Sequence, residues 1–151
     1  TRNQVEQCVL CHNPANTDGA RRPATAGGAQ TLDFRTMVHR IHSSGETGKT
    51  FTIWGGSANN FNIGYPGKLQ DCSQCHVGGS EQLPLPATNA KVTDGQNFIG
   101  TMGPETAACT SCHVTQAASA HAQVNTSAIG ESCSTCHGPS GAFAVSKVHA
   151  Q

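Results

Sequence analysis

The sequence predicts a mostly irregular chain with short α-helices, little β-structure, and a core built largely by something other than side chains. Three observations carry this. Hydrophobic residues make up only 36% of the 151 positions and aromatics 5%, too little apolar surface to offset the ordering of a chain this long. Glycine and proline are plentiful, at 17 and 7 residues. Charged residues are sparse at 12%, while cysteine and histidine each number eight. A disordered chain would be rich in charge and poor in cysteine, so an ordered chain with a non-protein core component is expected. Length alone points to a single domain over residues 1–151.

The cysteines form four pairs of one spacing, and each pair is followed directly by histidine. The runs are Cys8-Val9-Leu10-Cys11-His12, Cys72-Ser73-Gln74-Cys75-His76, Cys109-Thr110-Ser111-Cys112-His113 and Cys133-Ser134-Thr135-Cys136-His137. Structural zinc, a disulfide scaffold and a redox dithiol all use paired cysteines. None of them requires histidine after every second cysteine. Covalent attachment of haem c does. Two thiols three positions apart add to the two vinyl groups of the porphyrin, and the adjacent imidazole reaches the iron from below. Four covalently bound haem c groups are therefore expected. Cys8, Cys11, Cys72, Cys75, Cys109, Cys112, Cys133 and Cys136 would attach them, and His12, His76, His113 and His137 would be their proximal ligands.

Four histidines remain: His39, His42, His121 and His149. They equal in number the four open axial positions, and are expected to be the distal ligands. His39 and His42 lie in a stretch, Leu32–Ile41 and just beyond, where Phe34, Val38 and Ile41 recur at helical spacing. Three residues apart, they share one helix face and could serve two neighbouring haems. Ser43-Ser44-Gly45 reads as the stop of that helix. His121 lies in an alanine-rich helical stretch, Gln116–Gln123, and His149 near the C-terminus, where ligation would tie down the end. Iron ligated by two histidines has no open position for substrate and keeps the same ligands in both oxidation states. That describes an electron carrier with no catalytic site of its own. The alternative is a multihaem reductase acting on a small oxidant or a metal at an exposed haem.

Between the motifs the chain reads as connector. Thr17–Ala29 is a Gly/Ala/Pro-rich loop. Phe51, Ile53, Phe61 and Ile63 alternate with polar residues around Gly55-Gly56-Ser57 and predict a small hairpin or packed loop, its aromatics covering a haem. Residues 80–103 read as irregular. Pro104, with Glu105 in the first turn, opens a short helix into the third motif. Short helices are expected at every motif. Net charge is zero, so no nucleic-acid-binding face is implied. No apolar run is long enough for a transmembrane segment.

Met37-Val38-His39-Arg40-Ile41-His42, followed by Tyr65-Pro66-Gly67-Lys68-Leu69-Gln70-Asp71-Cys72 through His76, resembles the outer-membrane decahaem cytochromes of metal-reducing bacteria, the MtrC/OmcA type. The tail is similar too, in Thr106-Ala107-Ala108-Cys109 through His113, Ser119-Ala120-His121, Glu131-Ser132-Cys133 through Gly138, and Val145 through His149. The likeness covers roughly residues 31–76 and 104–149. It implies distal roles for His39 and His42 on two different haems. It also implies extracellular electron transfer by an exported protein at the outer-membrane or extracellular surface, with the periplasm as second choice. Partners would be other redox proteins or extracellular electron acceptors. Each half of the decahaem proteins carries five haems, where this chain has four motifs. Short extracellular tetrahaem cytochromes also polymerise into filaments with a continuous haem chain, in some of which a neighbouring subunit supplies one distal histidine. Sparse, balanced charge and the terminal His149 suit self-association into such filaments.

Overall fold

In the computed structural model, residues 4–55, 60–96 and 99–149 are described. Six helices punctuate long irregular segments: α1 (Val5–Cys8), α2 (Phe34–Thr47), α3 (Pro104–Cys109), α4 (Gln116–Val124), α5 (Ser134–His137) and α6 (Val145–Val148). Three two-residue antiparallel pairs complete the regular structure. They are β1 (Phe51–Thr52) with β2 (Asn60–Phe61), β3 (Val92–Thr93) with β4 (Thr101–Met102), and β5 (Thr126–Ser127) with β6 (Gly130–Glu131). The expectation of short helices and little β-structure holds.

The apolar core is thin. The buried hydrophobic residues are Phe51, Leu83, Val92, Ala107 and Ala144. Large apolar side chains elsewhere lie open, with Leu10 at 77% exposure and Val77 at 83%. Buried polar groups organise the chain instead. Asp18, fully inside, accepts hydrogen bonds from the Gln30 amide (2.7 Å), the Trp54 amide (2.8 Å) and the Arg22 guanidinium (2.6 Å). One carboxylate thus ties the loop after the first motif to the β1–β2 hairpin. The same contact holds Trp54 at φ 56°, a left-handed conformation that a bulky residue adopts only under constraint. Arg21 lies over the Trp54 ring at 5.4 Å.

Helix α2 is the longest element, and its ends differ from the sequence reading. Leu32 and Asp33 precede it. Asp33 is the N-cap, accepting from the Thr36 amide (2.9 Å) and the Thr36 hydroxyl (3.0 Å). Ser43-Ser44-Gly45 does not stop the helix, which runs on to Thr47 and closes on Gly48 at φ 63°. The reason is that both serine hydroxyls find acceptors without breaking the helix. Ser44 Oγ donates to the Ile41 carbonyl (2.8 Å), and Ser43 Oγ donates across to the Ser111 carbonyl (3.2 Å). Gly45 serves close approach: a Cβ there would sit 2.6 Å from the Ile63 carbonyl oxygen.

Two other segments also differ from the reading. Residues 80–103 are not wholly irregular, because Val92 and Met102 pair in the β3–β4 ladder with Val92 fully buried. The Thr17–Ala29 loop contains two short 3₁₀ turns, Gly19–Arg21 and Ala24–Ala26. The hairpin expected over Phe51–Ile63 is present as β1–β2, with Phe51 opposite Phe61. Part of its connection, residues 56–59, lies outside the described residues. Pro104 takes the first position of α3 and Glu105 its first turn, as expected.

Candidate haem centres

All four Cys-x-x-Cys-His motifs adopt one local geometry. In each, the histidine amide donates to the carbonyl of the first cysteine: His12 to Cys8 (2.9 Å), His76 to Cys72 (2.8 Å), His113 to Cys109 (2.9 Å) and His137 to Cys133 (2.9 Å). A single i to i+4 turn places the two thiols on one side and the imidazole directly after them. All eight thiols are free. Among the described residues no group of three or more His, Cys, Asp or Glu side chains converges as a metal site.

The motif imidazoles are oriented from behind. Nδ1 of His12 lies 3.2 Å from the Leu32 carbonyl, Nδ1 of His137 lies 3.0 Å from the Phe143 carbonyl, and Nδ1 of His76 lies 3.1 Å from Ser80 Oγ. A carbonyl can only accept, so Nδ1 of His12 and of His137 carries the proton. Nε2 then presents its lone pair outward, the arrangement by which an outer partner fixes a metal-binding histidine.

Three of the four other histidines face a motif histidine. His39 faces His76 with ring centroids 5.9 Å apart, His149 faces His113 at 6.0 Å, and His121 faces His137 at 6.1 Å. Two imidazole nitrogens bound to one metal from opposite sides, at about 2 Å each, hold their ring centres roughly 6 Å apart, allowing about 1 Å from nitrogen to ring centre. The observed spacing would accommodate such a metal between the two rings. Nδ1 of His39 and of His149 is buried without a hydrogen-bond partner, so protein hydrogen bonding does not explain why these rings lie inside. Burial, then the neighbouring His76, lowers the pKa of His39; burial, then His113, lowers that of His149. Both effects favour the neutral imidazole that a metal requires.

His42 is not brought to His12. Its ring meets Tyr65 edge-on at 5.9 Å. Among the described residues no imidazole faces His12.

Helix α2 joins the centres. Its first amide, Phe34, donates to the His12 carbonyl (2.9 Å). His39 projects to the second motif, and Ser43 bonds to Ser111 within the third. The third motif is set by α3, whose N-terminus is capped from a distance. The Glu131 carboxylate accepts the amides of Glu105 (2.9 Å) and Thr106 (2.6 Å). Glycine at 103 is what lets that carboxylate approach, since a Cβ there would collide with it. Burial, followed by the charges of Glu105 and Glu131, raises the Cys109 thiol to about 11. Burial and a hydrogen bond to Glu105 raise Cys133 to about 12. A cavity of about 440 Å³ is lined by Cys72 of the second motif, His137 of the fourth and His149, the partner of the third. Two motifs and the histidine that faces a third thus border one space. Sequence reasoning missed what Glu131 and Ser43 do, the one capping α3 and the other tying α2 to the third motif. Nothing in their spacing distinguishes them from ordinary surface residues.

Four repeated Cys-x-x-Cys-His turns, three of them with another imidazole at 5.9–6.1 Å from the motif histidine, are the marks of a multihaem c-type cytochrome. Over residues 1–150 the chain matches the family model described as outer membrane cytochrome MtrC/MtrF-like, domains II/IV, and it belongs to that family. No curated protein and no solved structure gives a significant match.

Proposed function

We propose that the chain is a tetrahaem electron conduit for extracellular electron transfer, exported to the outer-membrane or extracellular surface. Family membership supports the general role. The observation that carries the finer reading is the set of three imidazole pairs at 5.9, 6.0 and 6.1 Å. Each joins a motif histidine to one far from it in sequence.

When bound, haem supplies a one-electron couple whose potential is set by its axial ligands and surroundings. The chain's own residues do the rest. Cys8 and Cys11, Cys72 and Cys75, Cys109 and Cys112, and Cys133 and Cys136 attach the groups. His76 with His39, His113 with His149, and His137 with His121 would hold the iron of three of them, which would exclude substrate there and keep reorganisation small. The thin apolar core supports the view that haem faces fill the interior. No helix among the described residues is long and apolar enough to cross a membrane, so electrons would pass to redox partners or extracellular acceptors at a surface. Self-association into filaments belongs to the same proposal, supported by the zero net charge. His149 already has a partner, His113, within its own chain.

The mass of the denatured holoprotein tests the haem count. The reading expects four haems retained after denaturation. A mass equal to the bare chain, or to the chain plus zinc, would end it. Electron micrographs of the purified protein test assembly.

A further inference from the structure

The motif imidazoles with a partner at Nδ1 are not all held alike. Behind His12 and His137 stand backbone carbonyls, those of Leu32 and Phe143. Behind His76 stands a side chain, the Ser80 hydroxyl at 3.1 Å. The backbone is shaped to bring it there. Gly78 and Gly79 both lie in the left-handed region, at φ 63° and 74°, where a side chain would be strained. The turn closes as the Ser80 amide donates to the Val77 carbonyl (3.3 Å) and the Gln82 amide to the Gly79 carbonyl (3.0 Å). Residue 80 is thereby folded back onto the histidine four positions before it. Ser80 is exposed, so water competes for the ring, and the turn favours the hydroxyl by holding it in place.

A hydroxyl can donate or accept. If Ser80 donated to Nδ1, the other ring nitrogen would carry the proton and could not bind a metal. A ligating His76 therefore donates from Nδ1, and Ser80 accepts. Such a bond makes the imidazole a better electron donor, which favours ferric over ferrous iron and lowers the potential. At His12 and His137 a carbonyl does this, and no side-chain substitution removes it. Across from His76, Nδ1 of His39 is buried with no acceptor. Among the described residues, Ser80 is thus the acceptor that reaches the His39–His76 pair through a ring nitrogen.

We propose that Ser80 is a positioning residue of the second centre. Acting through His76, it fixes the tautomer and orientation of that ring, and it holds the potential of the centre below what the same two histidines would give without it. The proposal rests on the tetrahaem reading above. It makes the second motif a centre whose potential is set by a replaceable side chain.

Potentiometric titration of the holoprotein tests this, with covalent haem counted by mass in the same preparation. Ser80→Ala removes the acceptor and should raise the potential of one haem in four. At a fixed applied potential the ferrous-to-ferric ratio of that haem should rise about threefold to tenfold, or about 30–60 mV for a one-electron couple. Ser80→Thr keeps a hydroxyl and should return the wild-type potential. Ser80→Val has the shape of threonine without the hydroxyl and should behave as Ser80→Ala does. In a His39→Ala background the second iron leaves the low-spin set, so adding Ser80→Ala should leave the other three potentials unchanged. Four unmoved potentials in Ser80→Ala would overturn the proposal, because water would then serve as well as the hydroxyl. Equal shifts in all four haems, or Ser80→Thr matching Ser80→Val, would overturn it too, since a merely structural role would give either. Should Ser80→Ala fail to fold, the comparison of Ser80→Thr with Ser80→Val decides. A preparation with fewer than four covalent haems would instead overturn the tetrahaem reading, so the two failures are distinguishable.

Discussion

Replacing His39 by alanine isolates one ligand on a helix that stays folded. The substitution removes an imidazole whose ring centre stands 5.9 Å from that of His76. Alanine is a better helix former than histidine, by a few tenths of a kcal/mol. The supports of α2 lie elsewhere, at the Asp33 cap, the Ser43–Ser111 bond and the Gly48 closure. Nδ1 of His39 has no hydrogen-bond partner, so no protein group is orphaned by its loss. What remains is a ring-sized vacancy beside His76 and, on the proposed reading, one ligand fewer at that centre. The packing loss should cost about 2–4 kcal/mol of holoprotein stability, as for other large-to-small changes in partly buried sites. The number of haems that bind carbon monoxide should rise by one. Because the vacancy has the shape of the deleted ring, added imidazole should restore the low-spin spectrum in proportion to its concentration, while leaving the number of covalent haems unchanged. Soret titration and a denaturant midpoint measure these effects. Unchanged carbon monoxide stoichiometry, with no spectral response to imidazole, would refute the assignment of His39 to the iron at His76.

Three further outcomes follow from specific contacts. Glu131→Ala should lower stability by about 2 kcal/mol, because two buried amides at the start of α3 lose a charged acceptor; the denaturant midpoint of the holoprotein reads this. Asp18→Ala should cost about 3 kcal/mol or more, since it leaves the enclosed Arg22 guanidinium unpaired and frees the Gln30 and Trp54 amides. Limited proteolysis should then cut first between residues 17 and 31. Acid should weaken the fold in a defined window. The pKa of His39 is lowered by burial and then by His76, so below the ordinary value of 6.5 the unfolded chain takes up a proton that the folded one refuses. Stability should fall as pH drops below that value and level off above it, and midpoints measured at pH 7.5, 6 and 5 give the sign directly.

What the sequence made legible follows from how locally each feature is encoded. The Cys-x-x-Cys-His turns need only five consecutive residues, and all four close, but a short α-helix runs through only the fourth; the second is a 3₁₀ turn, Cys72–Gln74, and α1 and α3 end at the first cysteine of their motifs. Helix α4 likewise follows from an alanine-rich run with Thr115 as N-cap, accepting from the Ala118 amide (3.2 Å). Helix α2 was legible in its existence but not in its end. Serine and glycine are ordinary stop signals, yet here Ser44 bonds back to Ile41 three residues earlier, and Ser43 bonds to Ser111, a residue that no local pattern connects to it. The Asp18 node was illegible for the same reason. A single acid inside a Gly/Ala/Pro-rich loop gains its meaning only when residues 12 and 36 positions away arrive at its oxygens. The β3–β4 pair hides in a segment whose prolines and glycines dominate any propensity reading.

The axial ligands mark the boundary between counting and geometry. Four spare histidines for four motifs is a statement about totals, and any assignment satisfies it. Position along α2 is more restrictive. A helix advances about 1.5 Å per residue, so the point where His12 meets its first turn fixes how far His39 and His42 lie from the first motif. His39 arrives at His76, and His42 meets Tyr65. His121 and His149 meet their partners because α4 and the C-terminal segment after α6 return the chain to the third and fourth motifs. The rigidity of α2 that carries His39 to His76 also fixes His42 three residues on along the same face, where its ring meets Tyr65. Which centre each spare histidine serves is therefore decided by where α2 is anchored, at the His12 carbonyl, the Asp33 cap and the Ser43–Ser111 bond, and not by the equality of the counts.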